Sequence, residues 1–290
     1  MDKQKTKKNE NARQKLRVFF GKGIGVKLSC ICFVLFVACA IAAPILAPCD
    51  PYEQDLDHML SGVSLEHPLG TDALGRDVLS RLIYGARITF VTSFLATVIA
   101  CVIGSAMGMA AGYFGGMVGT VIMRLNDALL SIPSLIMAIT LSVIIGNGIG
   151  PVALIIGIVC VPTYCRMVYA QVSSVRENEY ILASRLIGLK EWKVMLKHIL
   201  PNTIPTILVV FTMNLGSSIG VESGMSYLGI GIAPPTPSWG RMVSEGYAYL
   251  RSNPLIALVP GICIILIVIA YNTIGDALRD ALDPRLRGKL

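Results

Sequence analysis

Charged residues are scarce in this chain of 290 residues: they make up 15% of it, whereas hydrophobic residues make up 54%. So few polar groups cannot cover a soluble globule, and a mean hydropathy of +0.66 also argues against that class. The net charge of +7 does not indicate nucleic acid, because the basic residues stand at the ends of apolar runs without interleaved aromatic residues. The composition therefore predicts a membrane protein surrounded by lipid, with no nucleic-acid partner.

Motifs for nucleotide or metal chemistry are also missing. The sequence has no G-x-x-x-x-G-K-S/T phosphate loop and no H-E-x-x-H, and its three histidines (His58, His67 and His198) are scattered. Its eight cysteines include no C-x-x-C pair, and all except Cys49 lie in or beside apolar runs, which suits small packing residues. We expect no catalytic residue, no disulfide framework, and no cofactor or metal bound by this chain.

Six apolar segments approach the roughly 20 residues that cross about 30 Å of hydrocarbon as a helix. They do not alternate with period two, as the strands of a membrane barrel would. The sequence therefore predicts an all-α membrane protein with six transmembrane helices. The predicted spans are residues 28–47, 89–111, 128–145, 152–169, 204–228 and 255–274.

The distribution of lysine and arginine predicts the orientation. With six spans and both termini cytoplasmic, 20 of the 25 basic residues lie inside: nine before the first span, Arg124, six from Arg166 to Lys197 and four at the C-terminus. The first segment also resembles a secretory signal, with a basic tail and Ala40 to Ala43 as a cleavage site. Its apolar run is longer than a usual signal core, which favours a retained span.

A long polar and basic insertion separates the fourth and fifth apolar segments. Apolar residues recur in it at helical spacing from Val175 to Ile187, Gly188 breaks the pattern, and residues 189–200 predict a second helix before Pro201. This second helix places Trp192, Met195, Leu196 and Ile199 on one side. A helix-glycine-helix knob suits the groove of a partner protein, but an interfacial helix pair on the lipid headgroups fits the spacing equally well.

The insertion resembles the Glu-Ala-Ala loop of binding-protein-dependent ABC importer permeases. The matching letters are LASRLIG over residues 182–188, followed by HILP over residues 198–201. Leu182 replaces the glutamate of that pattern and Ser184 its second alanine, whereas Gly188 is kept. The resemblance implies that the loop docks on an ATPase through Leu182, Ala183, Ser184, Arg185, Leu186, Ile187, Gly188 and Pro201.

Three further segments are similar to the C-type permease subunit of dipeptide, oligopeptide and nickel importers. They are HPLGTDALGRDVLSRLIYGAR over residues 67–87, SYLGIGIAPPTPSWG over 226–240 and DALRDALDPR over 276–285. The resemblance implies a type I ABC importer permease fold and partners outside this chain. These would be a second homologous permease, two cytoplasmic ATPases that use ATP and Mg, and an extracellular solute-binding protein.

On this interpretation the chain divides into four parts. Residues 1–27 form a basic cytoplasmic segment, and residues 28–87 the first transmembrane helix with an extracellular loop. Residues 88–276 form the permease domain, including the cytoplasmic coupling loop at 170–202, and residues 277–290 form a cytoplasmic tail.

The outer loops predict a surface for the binding protein or a gate. Residues 48–87 hold seven acidic residues against three arginines, and Asp77 and Arg81 have the spacing of a helical ion pair. An ordinary solvated loop is the alternative. The proline-rich run before Trp239 predicts either a rigid loop beside the gate or an aromatic anchor at the membrane interface. The residues assigned to the binding-protein or gate side are Asp72, Arg76, Asp77, Glu222 and Trp239.

Several residues inside the spans indicate packing or gating. Gly104, Gly108 and Gly112 share one helical face, which suits close packing within the subunit or a seam with the second permease. Asp127 lies near Arg124 in sequence, so an ion pair and a gating role are both open, and Glu222 suggests a contact with the translocation path. Three prolines predict kinked helices: Pro133, Pro162 and Pro260.

The sequence therefore predicts a permease subunit of an ATP-driven importer for dipeptides or oligopeptides in a bacterial plasma membrane. A nickel or metallophore importer would share every motif. A secondary transporter or channel is the alternative from another class, although neither inverted repeats nor broken helices at mid-membrane are evident.

Overall fold

The computed structural model describes residues 18–21 and 23–282. Within these residues the chain forms helices and loops, with one isolated antiparallel bridge between Thr71 and Asp77. The helices are α1 (Ile24–Ile41), α2 (Ala43–Leu46), α3 (Val78–Phe114), α4 (Gly116–Leu130), α5 (Ser134–Ile145), α6 (Ile149–Arg176), α7 (Glu179–Leu186), α8 (Glu191–Val194), α9 (Leu200–Tyr227), α10 (Trp239–Tyr247) and α11 (Leu255–Leu282). A 3₁₀ turn covers Leu56–His58, and a π-turn covers Met195–Ile199. The prediction of an all-α fold is confirmed.

Five helices in the described part of the chain are long and apolar enough to cross a membrane: α1, α3, α6, the continuous helix from Glu191 to Tyr227, and α11. A sixth crossing exists if α4 and α5 act as one broken span, since they meet at 93°. The segment predicted as one kinked span, residues 128–145, therefore consists of the end of α4, a sharp bend and α5. Pro133 precedes α5 and lacks an N–H, and it also disfavours helical backbone at Ile132, which explains the break. Pro162 and Pro260 lie inside continuous helices.

Helix α3 is much longer than the predicted span. It has 37 residues, corresponding to about 55 Å at 1.5 Å per residue, against about 30 Å of hydrocarbon. Its N-terminus is capped by Asp77, whose carboxylate accepts a hydrogen bond from the Ser80 N–H, so residues 78–87 are helical and not part of the outer loop. At the other end Gly115 terminates the helix with φ +62°.

Helices α3 and α6 pack closely through the glycine face. A Cβ atom on Gly104 would lie 2.5 Å from the Tyr164 Cβ, and one on Gly108 would lie 2.4 Å from the Cys165 carbonyl oxygen. One on Gly112 would lie 2.9 Å from the Tyr169 carbonyl oxygen. These positions need glycine because any side chain would push the two backbones apart. The structure therefore uses this face for packing within the chain and not as an outer seam.

A second buried cluster joins α1, α3, α9, α10 and α11. It is built from Ala40, Ala86, Ile219, Trp239, Ile267, Ala270 and Tyr271. Helix α11 continues to Leu282, so the first six residues of the predicted C-terminal tail are helical. The remaining tail residues 283–290, and residues 1–17 and 22 of the basic N-terminal segment, lie outside the described part of the chain.

Candidate functional site

The predicted helix-glycine-helix unit is present between α6 and α9. We use the name elbow for residues 179–194, which comprise α7, the turn at Gly188 and α8. Helix α7 begins at Glu179, later than predicted, because α6 continues to Arg176. The second helix does not stop at Pro201 but runs through the π-turn into α9. Pro201 stands where the backbone passes from the π-turn into α9.

The turn of the elbow depends on the backbone of Gly188. This residue has φ +81°, a backbone conformation that residues with a Cβ atom adopt only at a cost in free energy. Its N–H donates to the Arg185 carbonyl at 2.9 Å, and the Leu189 N–H donates to the Ser184 carbonyl at 3.3 Å. A Cβ at Gly188 would meet nothing within 4 Å. The glycine is therefore required for backbone conformation, and the tip of the elbow is open to its surroundings.

The elbow has a buried side and an exposed apolar side. Ile181 and Val194 are fully buried against Val172 and Val175 of α6. The exposed apolar residues of the elbow include Leu182, Leu186, Ile187 and Trp192, with Leu186 and Ile187 80% and 81% exposed, and Leu196 of the following π-turn is also exposed. The predicted apolar side of the second helix is thus divided: Ile199 is buried, whereas Trp192 and Leu196 are exposed. Large apolar side chains exposed around a turn suit an interaction surface.

A polar network joins the elbow to the end of α3. The Tyr113 hydroxyl donates to the Glu191 carboxylate and accepts from Arg185 Nε at 3.3 Å. The Arg185 guanidinium lies 4.5 Å from the centre of the Tyr113 ring and its Nε lies 3.6 Å from Glu191. Sequence reasoning missed Tyr113, because an aromatic residue at the end of a span usually indicates the membrane interface. The network fixes α7 and α8 to one long helix.

A second polar network lies at the opposite end of α3. One Asp72 oxygen accepts from Arg76 Nε at 2.8 Å and from Arg81 Nη1 at 2.7 Å. The Glu245 carboxylate of α10 accepts from Arg76 at 3.2 Å, from Arg81 at 2.9 Å and from Arg241 at 2.9 Å. Asp72, Arg76 and Arg81 are buried. This network, which the predicted orientation places on the outer side and which we call the outer network, ties the loop before α3 to α10.

The outer network corrects the predicted ion pair between Asp77 and Arg81. Asp77 instead caps α3 and lies 3.0 Å from His67 Nδ1, while Arg81 pairs with Asp72 and Glu245. The prediction from helical spacing failed because Asp77 is the N-cap residue of α3, where its carboxylate accepts a hydrogen bond from a backbone N–H. Glu245 was missed because 164 residues separate it from Arg81.

Trp239 and Glu222 are also enclosed. The Trp239 indole donates to the Leu82 carbonyl at 3.0 Å and its ring packs against Phe36 and Phe90, so Trp239 is not an exposed aromatic anchor, whereas the rigid loop beside a gate stays a prediction. Glu222 has no exposed surface, and it accepts a hydrogen bond from Ser226 at 2.7 Å. All five residues predicted for the binding-protein or gate side are therefore buried within this chain. The exposed acids of the outer loop are Asp50, Glu53, Asp55, Asp57 and Glu66.

Asp127 forms an ion pair, but not with the predicted partner. Its carboxylate accepts a hydrogen bond from Arg166 of α6. The neighbouring Arg124 was predicted from sequence proximity alone. The contact connects α4 to α6, so Asp127 serves packing of the bent pair in this structure.

Metal-ligating side chains converge at one place in the part of the chain that the structure describes. The ligand atoms of Cys49, His67 and Asp77 lie within 4.8 Å of one another. The sequence does not reveal this group, because its members are spread over 28 residues and match no ligand spacing.

Comparison with known proteins agrees with the motifs. Residues 103–288 match the family described as "Binding-protein-dependent transport system inner membrane component". The chain is 38% identical over 252 residues to the dipeptide transport system permease protein DppC of Alkalihalophilus pseudofirmus, covering 87% of this chain and 83% of that protein. It is 40% identical over 256 residues to the glutathione transport system permease protein GsiD of Shigella flexneri serotype 5b, covering 88% and 84%.

The fold is similar to that of a solved transporter. A structure of the MetNI methionine ABC transporter in an inward-facing conformation superimposes with a TM-score of 0.56 at 20% sequence identity. The match covers 71% of this chain and 98% of the other. At this identity the similarity concerns the fold alone, and it confirms the predicted type I permease architecture.

Proposed function

Because the chain belongs to the family of binding-protein-dependent transport system inner membrane components, we propose that it is the permease subunit of an ATP-driven importer of peptides. It acts with a second, homologous permease, two cytoplasmic ATPases that use ATP and Mg, and an extracellular solute-binding protein. The chain itself carries out no chemical reaction. Its location is the bacterial plasma membrane, with both termini and the elbow on the cytoplasmic side, as the distribution of 20 of 25 basic residues suggests.

The observation that carries the proposal is the exposed apolar tip of the elbow. Leu186 and Ile187 leave most of their surface uncovered beside a glycine turn that has free space around it. A soluble partner with a groove gains free energy by burying such residues, whereas the elbow's buried side is already packed on α6. The residues proposed for coupling to the ATPase, within the loop at 170–202, are Leu182, Ala183, Ser184, Arg185, Leu186, Ile187, Gly188 and Pro201.

Movement of the elbow reaches the outer face through α3. Tyr113 contacts the elbow at one end of this helix, and Arg81 contacts Glu245 at the other. A helix bonded to polar networks at both ends transmits a displacement as a rigid body better than a loop would. ATP-driven closure of the ATPases shifts the elbow because the two ATPase states bind it with different affinity. The cavity between the two permeases then opens to alternate faces.

Peptides are the proposed cargo because two relatives, which cover most of this chain, are named for dipeptide and glutathione transport. A nickel or metallophore importer is the alternative within the family. Cargo selection is assigned to the binding protein, which delivers the substrate to the permease pair.

The test is reconstitution of the full chain with the permease, ATPases and binding protein encoded beside it, in proteoliposomes. We expect ATP-dependent accumulation of labelled dialanine or glutathione, and none of ⁶³Ni²⁺. Accumulation of nickel alone would overturn the peptide assignment. Transport by this chain without any ATPase, or failure of the ATPases to co-purify with it, would favour a secondary transporter or channel and overturn the proposal.

A further inference from the structure

The outer end of α3 carries a group of side chains that the proposed transport function does not use. Cys49 follows α2, His67 lies in the loop before α3, and Asp77 caps α3. Their ligand atoms lie within 4.8 Å of one another, although 28 residues separate the first from the last. We propose that these three residues bind one Zn²⁺ ion. The ion would link two segments of the loop, one before and one after the 3₁₀ turn, to the start of α3.

The chemistry of the three groups suits zinc. A thiolate, an imidazole nitrogen and a carboxylate oxygen are its usual protein ligands, and three such ligands leave one position for water. Magnesium and calcium prefer oxygen ligands alone, so the cysteine and histidine select against them. Cys49 and His67 are partly exposed, which provides an entry path for an ion.

The geometry needs a small adjustment. Zinc bonds of 2.0–2.3 Å place tetrahedral ligand atoms about 3.5 Å apart. His67 Nδ1 and Asp77 Oδ1 are already 3.0 Å apart, so the ion takes the place of the proton between them. Rotation of the Cys49 side chain closes the remaining gap. Asp77 keeps its helix cap, because its other oxygen accepts the Ser80 N–H at 2.7 Å.

The backbone holds the three ligands in place before an ion arrives. The Cys49 N–H donates to Ser80 Oγ at 3.0 Å, in the first turn of α3. The His67 N–H donates to Ser64 Oγ and the Ser64 N–H donates to the His67 carbonyl, both at 2.9 Å. Ordering of these segments therefore precedes binding, which lowers the entropy cost of forming the site.

The surroundings are negative, as a cation site requires. The carboxylates of Asp77, Glu53 and Glu66 act electrostatically on the Cys49 thiol. Each of these carboxylates attracts a divalent cation. Glu53 and Glu66 are exposed.

The experiment uses the full-length chain in lipid nanodiscs, stripped of metal with a chelator. Co²⁺ is added as a spectroscopic probe and then displaced with Zn²⁺. We expect one Co²⁺ per chain with a thiolate charge-transfer band, and displacement by one Zn²⁺. Cys49→Ser abolishes the band, and His67→Ala weakens Zn²⁺ binding by about 100-fold or more, since loss of outer-shell partners alone costs 10- to 100-fold. No partner subunit is needed, so the result is independent of the transport proposal.

Two variants serve as matched controls. His58→Ala removes another histidine of the same loop, which is exposed and hydrogen-bonded to Asp55 at 2.7 Å, and Cys39→Ser removes a cysteine of α1. Both are expected to bind like the wild type. Circular dichroism checks that Cys49→Ser retains its helices. Absence of saturable binding at one ion per chain, a band that survives in Cys49→Ser, or equal loss in either control would overturn the site and leave a plain His67–Asp77 hydrogen bond.

Discussion

Arg81, in the first turn of α3, donates a hydrogen bond from Nη2 to the Glu245 carboxylate of α10 at 2.9 Å. The same glutamate accepts from Arg76, and both arginines are buried. Two buried guanidinium groups need two carboxylates, and Asp72 alone supplies only one. The position of α10 over the outer end of α3 therefore depends on this pair of charges.

Glu245→Gln should destabilise the chain, because it leaves Arg76 and Arg81 sharing a single carboxylate. Glu245 is 24% exposed, so we expect a loss of about 2 kcal/mol, below the value for a fully buried pair. Chemical unfolding of the chain in detergent, followed by circular dichroism, measures it. Glu66→Gln, on the exposed part of the outer loop, should stay within about 0.5 kcal/mol. Equal effects of the two variants would show that the network contributes no stability.

Gly108→Ala should weaken the contact between α3 and α6. The new Cβ would lie 2.4 Å from the Cys165 carbonyl oxygen, which is backbone and cannot rotate away, so we expect a loss of about 1–3 kcal/mol. Gly220→Ala in α9 is the matched control. It meets nothing within 4 Å and should be neutral or gain up to about 1 kcal/mol from helix propensity. The same unfolding measurement compares them, and a neutral Gly108→Ala would exclude the tight packing.

Substitution of Gly188 should separate the effect of backbone conformation from that of size. At φ +81° a valine is strongly disfavoured, whereas asparagine tolerates the left-handed region, and neither meets a neighbour at its Cβ. We expect Gly188→Val to lose most of the co-purifying ATPase and most of the uptake, and Gly188→Asn to retain the larger part. Wild-type ATPase attachment and uptake in Gly188→Val would refute the elbow as the coupling element.

Tyr113→Phe should loosen the elbow without unfolding the chain. The change removes the hydroxyl that donates to Glu191 and accepts from Arg185, while the ring stays buried. Losing a net contribution of about 1 kcal/mol corresponds to about fivefold faster amide exchange in residues 179–194. Hydrogen–deuterium exchange with mass spectrometry detects this. Tyr247→Phe changes an exposed tyrosine of α10 and should leave amide exchange in the elbow unchanged. Similar exchange rates in both variants would contradict a role of the Tyr113 hydroxyl in holding the elbow.

The membrane spans and the elbow could be predicted because their sequence signals are local. A run of apolar residues has to be helical in lipid, where each backbone N–H and carbonyl must be bonded within the chain. Gly188 marked its turn because few other residues adopt a positive φ cheaply. At Pro133 the sequence predicted a kink, whereas the helices on either side meet at 93°. The sequence does not show whether a neighbouring helix would support a continuous span.

The sequence did not reveal the burial of the charged residues in the outer network, for one shared reason. Asp72, Arg76 and Asp77 are charged and close together in the sequence, and such residues are usually solvated. The contacts with Glu245 have no local signature, because 164 or more residues separate it from the arginines, and the cap at Asp77 was missed because the helix was predicted to begin only at residue 89. Asp127 shows the same effect, because its partner Arg166 lies 39 residues away.

By itself, the sequence determined that this protein lies in a membrane, that it is helical, and that a glycine turn divides its polar insertion. Those properties follow from hydropathy and backbone sterics, which act over a few neighbouring residues. Only the tertiary structure decided which charges are paired, which apolar residues stay uncovered, and that Cys49, His67 and Asp77 meet. Charge pairing and ligand convergence depend on distances between segments, and packing of the helices sets those distances.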